Sequence, residues 1–517
     1  MNRREFIRRA ALASGSAFTV MHGLGLLPAA PLSAIPDTAS LKKGKVLILG
    51  GGLAGLTTAY ELQKLGIDCE VLEARNRPGG RLWTVRGGDQ EQELGYENQQ
   101  CAFDAGQYMN VGPARIPHHH EVSLHYVREM GLSVEIFANF NEAAFFYSQA
   151  KGPLANRRHR MREIKTDLRG YTTELLAKAI HQDSLDLPMS PRDVEKLLTY
   201  LKEEGGLNED FIYQGGERRG YTQQPGAAGQ KGEIADPNQL RAILYSGLTH
   251  PAFSGVGEYT YHQQPTMLQI VGGMDQLATS IYEKVKPLVQ LQAEIQEVKR
   301  KGKGVEVVYK NAEGKLKKAK GDYCVVSLPV PILRKLKHDF DPRMQAAFED
   351  ISYIDTTKVA FQFNRRFWEE DDHIYGGISK TNMDITQIFY PSYGYLSPKG
   401  VLIGCYNFHQ RARKMGDMTP ADRIQHAFKQ GQKIHPAYAD HLDNAFTVAW
   451  QKIPYSEGGW ATYTEAQRAG LYQEFGKRDG PYLFIGEHTT YLNAWMAGAF
   501  TSARRAVNLI HEDLNQP

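Results

Sequence analysis

The sequence predicts an α/β fold, and three observations carry that expectation. Val46-Leu47-Ile48-Leu49 is a continuous apolar run, the pattern of a parallel strand buried on both faces. It leads directly into Gly50-Gly51-Gly52-Leu53-Ala54-Gly55, a GxGxxG, and then into a segment with Leu56, Tyr60 and Leu62 on helical spacing that Gly66 closes. A second strand, Cys69-Glu70-Val71-Leu72, ends at Glu73, 18 residues past Gly55. Strand, glycine turn, helix, strand and acid in this order form a Rossmann-like dinucleotide-binding unit. Gly50 permits the tight turn and Gly52 lets a pyrophosphate approach the backbone across Leu53 and Ala54. Gly55 lets helix pack on strand, and Glu73 accepts from ribose hydroxyls.

Composition sets the scale. The chain has 517 residues, 42% hydrophobic and 23% charged, enough for about three domains or subdomains at ~150 residues each. That balance excludes a wholly disordered, collagen-like or disulfide-framework protein. Sixty-one Lys and Arg against 58 Asp and Glu leave a formal net charge of +3, too near neutral to point to nucleic acid as a partner. Cys69, Cys101, Cys324 and Cys405 are scattered without a CxxC pair, so no zinc or thioredoxin-like site is read, and disulfides stay open.

The first 35 residues read as a leader. Asn2-Arg3-Arg4-Glu5-Phe6-Ile7 resembles the twin-arginine export motif; a weakly apolar run from Ala10 to Leu27 and a small-residue site at Leu32-Ser33-Ala34 follow. Gly15, His22, Gly23, Gly25 and Pro28 interrupt that run and make it a poor membrane span. The twin-arginine machinery carries folded proteins, which suits an exported, periplasmic or secreted, cofactor-bearing enzyme.

Beyond Glu73, Ala74 and Arg75, the segment Arg77-Pro78-Gly79-Gly80-Arg81 resembles the RxGGR of flavin amine oxidases. The resemblance implies FAD, with backbone approach at Gly80 and Arg81 offsetting pyrophosphate charge. Tyr108-Met109-Asn110-Val111-Gly112-Pro113-Ala114-Arg115-Ile116-Pro117 is similar to the segment with which L-amino acid oxidases pass the flavin and present an arginine to the substrate carboxylate. A guanidinium fork matches a carboxylate in position and plane. His118-His119-His120 has no partner cluster, and adjacent histidines cannot all face one ion, so the segment reads as the start of a helix through Met130 and no metal is expected.

Residues 151–264 read as a helical subdomain. Its basic run Arg157-Arg158-His159-Arg160-Met161-Arg162 is expected on a solvated helix face, and Gln223 to Lys231 as an exposed loop. Gln269 to Leu277 carries Gly272-Gly273 ahead of a helix over Met274–Val285, and is similar to the family's return to the cofactor domain. A strand over Val289–Val298 follows, with Ile295 beside adenine by resemblance, then a Lys-rich hairpin around Asn311–Gly314 and a strand at Val325-Val326.

Further matches imply the rest of the site. Thr356 to Phe361 resembles the strand carrying the family's flavin-side lysine, here Lys358. Phe389-Tyr390-Pro391 resembles the motif that supplies a tyrosine hydroxyl, so Tyr390 is expected to partner Arg115. Trp450 matches a tryptophan beside the flavin, and Trp460 stands where some relatives have an aliphatic residue over the substrate. Tyr482 to Ile485 reads as a buried strand, followed by Gly486-Glu487 and by Asn493 to Ala499 opening a C-terminal helix. By resemblance Glu487 contacts the cofactor, Trp495, Met496 and Ala499 lie along it, and the helix N-terminus favours negative charge there. Ala494 replaces a glycine common in amino acid oxidases. No cysteine lies in this segment, so FAD is expected to be non-covalent.

The chain is thus identified as a member of the flavin amine oxidase superfamily, similar to secreted L-amino acid oxidases. The resemblance implies an FAD-binding domain built from 41–115, 265–340 and 480–517, and an α+β substrate domain from 116–150 and 341–479. It also implies hydride transfer from the α-carbon of an L-amino acid to FAD, yielding a 2-oxo acid, ammonia and, with oxygen, hydrogen peroxide. An amino-acid 2-monooxygenase, an amine or polyamine oxidase, a redox-silent binding protein and a homo-oligomer stay open. Tyr261 and Ile354 are expected beside Trp460 in an apolar or aromatic side-chain pocket; Asp355 is the acid that would greet a basic side chain.

Overall fold

The computed structural model describes residues 44–182, 184, 189–253 and 260–515; the leader reading at 1–35 lies outside them. A five-stranded parallel sheet runs in the order Val289–Gln290, Asp68–Leu72, Lys45–Leu49, Tyr323–Val326, Tyr482–Phe484. Its first strand is apolar throughout because both faces are covered. Val46 and Ile48 pack against the helices Leu53–Lys64, Gln276–Val285 and Met496–Asn515. Leu47 and Leu49 meet an opposite core that includes Val298, Val305 and Val307 of an antiparallel meander.

The first helix starts at Leu53, three residues before the apolar spacing suggested, because Gly52 already serves as its N-cap. The expected strand over Val289–Val298 is two strands. Val289–Gln290 ends the parallel sheet, Gln292 turns the chain with φ 55°, and Glu294–Lys301 enters the antiparallel meander. The Lys-rich hairpin forms as expected, between Gly304–Lys310 and Leu316–Gly321.

A second, seven-stranded sheet holds Arg158–Arg160, Phe145–Tyr147, Gly377–Thr381, Gln387–Tyr390, Gly400–Phe408, Thr356–Phe363 and Leu442–Ala449 in that order. The basic run is therefore not a solvated helix face: Arg158–Arg160 is an edge strand whose His159 is buried. Arg158 pairs with Asp372 and stacks over Phe145. The helices Met161–His181, Pro191–Gly205 and Leu240–Tyr245 follow it, and Gln223 to Lys231 is exposed. Cys69, Cys101, Cys324 and Cys405 are all buried free thiols.

One buried ion pair fastens the N-terminal segment to this sheet. Arg423 and Glu93 are both fully buried and bidentate, at 2.8 and 2.7 Å. Glu93 also accepts from the Ala449 backbone N–H at 2.8 Å. Removing one partner strands the other charge away from water. Glu93→Gln is therefore expected to lower the unfolding free energy by about 3–5 kcal/mol; urea denaturation that moved by less than about 1 kcal/mol would show the pair to be solvated.

Candidate active site

A cavity of about 770 Å³ runs from the glycine turn to the second sheet. At one end it is lined by Gly50, Gly52, Leu53, Ala54, Glu73, Ala74, Arg75, Gly80 and Arg81. A Cβ on Gly52 would meet nothing within 4 Å, so the backbone here stands open to a ligand. Gly55, expected among the cofactor contacts, does not line the cavity. A Cβ there would lie 2.0 Å from the Gly50 carbonyl, so its work is the close packing of helix on turn. Glu73 is held by two backbone donors, Gly51 N–H at 2.6 Å and Arg75 N–H at 2.9 Å. Arg75 reaches Ser456 Oγ at 2.8 Å. Arg81 donates to Glu487 Oε1 at 2.9 Å and to the Gly459 carbonyl at 2.7 Å.

The middle of the cavity is walled by Gly112, Pro113, Ala114, Ile295, Trp450, Gly486, Glu487, Trp495, Met496 and Ala499. The helix Met496–Asn515 begins at this wall, so its positive end faces the cavity. Trp450 Nε1 is anchored on the Val111 carbonyl at 2.9 Å. His488 also lines the wall, and both of its ring nitrogens are buried without a partner. Burial pushes its pKa down to about 4.

Arg115, Lys358, Trp460 and Ala494 line the far end. The Arg115 guanidinium lies over Phe137 and Phe389, 5.6 and 5.7 Å from their ring centres, and donates to Gln263 Oε1 at 2.9 Å. Among the described residues it has no carboxylate partner. Burial lowers its pKa from the ordinary arginine value, while the Tyr406 hydroxyl opposes the shift. Lys358 Nζ donates to the carbonyls of Asn110 at 2.9 Å and Gly112 at 2.6 Å, and it lies over the Tyr406 ring. Burial, aided by Arg115, pushes its pKa down to about 7.

Three expected substrate residues, Tyr390, Tyr261 and Ile354, lie elsewhere. Tyr390 does not partner Arg115. Alternation along Gln387–Tyr390 sends Gln387 and Phe389 to the cavity and Tyr390 to the opposite face. There the Tyr390 hydroxyl bonds Ser379 at 2.7 Å and His435 at 2.6 Å inside the core. The hydroxyl near Arg115 belongs to Tyr406. Tyr261 is 62% exposed and packs at a tilt against His119, and the cavity residue of that turn is Gln263. Ile354 is buried away from the cavity, and Asp355 pairs with Arg413 at 2.9 Å.

The sequence passed over Asn139, Gln263, Phe389, Ile403, Tyr406 and Phe408, all of which line the cavity. Alternation in Gly400–Phe408 points to Tyr406 and Phe408. Ile403 joins them because the pairing with Thr356–Phe363 shifts register between Val359 and Ala360. The helix expected after His118 to His120 forms over Glu121–Glu129, with His120 at its N-cap position and Met130 at its C-cap, but the histidines do have a partner, because the fold brings His262 against His119 and His120.

A Rossmann-type glycine turn joined by one long cavity to a mixed, mostly antiparallel sheet is the layout of a flavoenzyme of the amine-oxidising kind. The sequence matches the family of flavin containing amine oxidoreductases over residues 53–511, and the chain belongs to that family. It is 25% identical over 497 residues to an L-amino-acid oxidase of Gloydius blomhoffii, covering 91% of this chain and 90% of that protein. It is 27% identical over 501 residues to the L-amino acid oxidase bordonein-L of Crotalus durissus terrificus, covering 90% and 87%. Among solved structures, a putrescine oxidase with putrescine bound superposes with a TM-score of 0.59 at 17% identity, covering 90% of this chain and 99% of that one.

The protein is an FAD-dependent oxidoreductase, and the cavity fits that cofactor. The open backbone at Gly52, the Glu73 carboxylate on the wall and the unpaired nitrogens of His488 all face the space where it would lie.

Ala494 carries a strain of its own. Its φ is 67°, in the left-handed region, and its N–H donates to Glu487 Oε2 at 3.0 Å. A side chain there costs about 1–2 kcal/mol relative to glycine, partly offset by the greater freedom of an unfolded glycine. Ala494→Gly is expected to hold or raise the melting temperature, and Ala494→Val to lower it. The reverse order in a thermal melt would contradict the assigned backbone.

Proposed function

We propose that this enzyme oxidatively deaminates an L-amino acid to a 2-oxo acid, ammonia and hydrogen peroxide. The observation that carries the reading is Arg115, a partly buried guanidinium that lines the cavity and, among the described residues, has no acid partner. A substrate carboxylate supplies the missing negative charge and accepts two parallel N–H bonds. Gln263 holds the fork in place at 2.9 Å. Bound FAD supplies the hydride acceptor and passes the electron pair to oxygen.

The chain's own residues orient the substrate and tune its charge. With the carboxylate on Arg115, the substrate is fixed at one end and its α-carbon is directed along the cavity. Tyr406 stands beside the arginine with a hydroxyl that burial keeps protonated, its pKa pushed up to about 12. Arg115 and Lys358 together disfavour a third positive charge, so they favour the neutral amine whose lone pair assists hydride loss. Among the described residues no Ser-His-Asp set lines the wall, and the reaction read here needs no general base.

Ile378, Phe389, Ile403, Phe408 and Trp460 give the substrate end an apolar and aromatic wall. Asp355 is committed to Arg413 and does not offer a counterion to a basic side chain. The preferred substrate is accordingly an apolar or aromatic L-amino acid. The twin-arginine leader read at residues 1–35 supports export of the folded, FAD-loaded chain; among the described residues no helix is long and apolar enough to cross a membrane.

The direct test is peroxide release from the twenty L-amino acids, with D-isomers and simple amines alongside. Turnover of putrescine without turnover of any amino acid would overturn the carboxylate reading. Arg115→Ala is expected to retain FAD and to lose about 2–4 kcal/mol of transition-state binding, roughly a 30- to 1000-fold fall in kcat/KM. An unchanged kcat/KM in that variant would remove Arg115 from the substrate site.

Lys358 sets a pH dependence. With its pKa pushed down to about 7 it is a cation below that pH and neutral above it. A nearby cation stabilises negative charge developing on oxygen, so kcat/KM for oxygen is expected to fall as pH rises through about 7. Lys358→Met should flatten that profile at its lower level. A profile with the wild-type inflection in the variant would assign it to another group.

A further inference from the structure

Three histidines outside the cavity converge on one point. His119 Nε2 and His120 Nε2 each lie 3.0 Å from the same atom, Nδ1 of His262. Ligand atoms of all three fall within 4.8 Å of one another. An imidazole nitrogen carries either one N–H or one in-plane lone pair, so the two contacts to His262 Nδ1 compete for a single hydrogen or a single lone pair. A cation at the point of convergence removes that conflict, because it meets three lone pairs at once. Zn–N bonds of about 2.0–2.1 Å in tetrahedral geometry place ligand nitrogens about 3.3 Å apart, close to the two 3.0 Å spacings at His262, while the third pair lies within 4.8 Å.

We propose that His119, His120 and His262 form a binding site for one borderline divalent transition ion, with Zn²⁺ as the reference occupant. Three imidazoles without a carboxylate suit zinc, copper or nickel, and disfavour magnesium and calcium, which take oxygen ligands. His119 and His262 are partly exposed and His118 and Tyr261 are exposed, so an ion has a route in and a fourth position open to water. The surrounding shell is rigid: His120 is buried edge-on against Trp495, 5.1 Å between ring centres, and it caps the helix Glu121–Glu129. His119 packs against Tyr261 at 4.3 Å. His119 Nδ1 is buried without a hydrogen-bond partner, a further sign that this cluster is incomplete by itself.

The position gives the ion a structural consequence. His262 is followed by Gln263, whose side chain accepts from Arg115 and whose carbonyl accepts from Asn139 at 3.1 Å. An ion bound across His119, His120 and His262 ties this turn to the helix Glu121–Glu129, and so stiffens the support of the arginine.

The test uses the full-length, FAD-loaded protein without an affinity tag, stripped with a chelator and titrated with Zn²⁺ by calorimetry. One ion per chain with micromolar or tighter affinity is expected, and no heat from Mg²⁺. His262→Gln and His120→Gln should each weaken binding by more than about 100-fold, beyond the cost of outer-shell changes, while His118→Gln should leave it intact. A variant counts only if its flavin absorbance matches the wild type. Independently of any variant, Cu²⁺ bound to the wild type should show electron-spin couplings to imidazole nitrogen. Absence of stoichiometric Zn²⁺ binding, binding unchanged in His262→Gln, or a Cu²⁺ spectrum without nitrogen couplings would each overturn the proposal.

Discussion

One carboxylate joins the segments that make the cavity. Glu487 Oε1 accepts from Arg81 at 2.9 Å and from the Ala461 N–H at 3.3 Å, while Oε2 accepts from the Ala494 N–H at 3.0 Å. Arg81 follows the first βα unit, Ala461 lies beyond the second sheet, and Ala494 precedes the last helix. Arg81 is 406 residues from Glu487, while Ala461 and Ala494 are 26 and 7 residues from it, and the shared carboxylate satisfies donors from all three segments. The left-handed backbone at Ala494 is tolerated because this junction fixes its N–H direction. The junction also places the start of the helix Met496–Asn515 against the cavity wall.

Charge is distributed unevenly along that cavity. The wall acids Glu73, Glu294 and Glu457 accompany Arg75 and Ser456 at the nucleotide end, where Tyr455 feels both Glu73 and Glu294. The opposite end holds Arg115 and Lys358 among aromatic rings, and Arg115 adds to the burial that disfavours the charged form of Lys358. Among the described residues no acid pairs with either side chain, and withdrawing positive charge from water without a partner is costly.

The second sheet shows how a residue-level error arises from a correct segment-level reading. The motif Phe389-Tyr390-Pro391 does reach the cavity, yet the side chain that faces it is Phe389. In a strand the two faces alternate with a period of two, so a one-residue shift exchanges wall for core. Tyr390 therefore closes a buried chain through His435 to Asp372, at 2.6 and 3.0 Å. The register shift opposite Val359 and Ala360 then allows Ile403 and Tyr406 to share one face, although they are three residues apart. Simple alternation does not reveal that pair.

The sequence alone determined the nucleotide half of the molecule. Local geometry suffices there: a buried apolar strand, a glycine turn and an acid at fixed spacing are read from contiguous residues, and Gly52, Glu73 and Arg81 took their places on the wall. Arg115 and Lys358 were also legible, because each lies within a short run of recognisable neighbours. Tertiary structure alone decided the rest. Gln263 supports Arg115 across 148 positions, and His262 meets His119 and His120 across more than 140. Contacts of that separation are set by how sheets and helices pack, and no periodicity along the chain encodes which distant side chain will arrive.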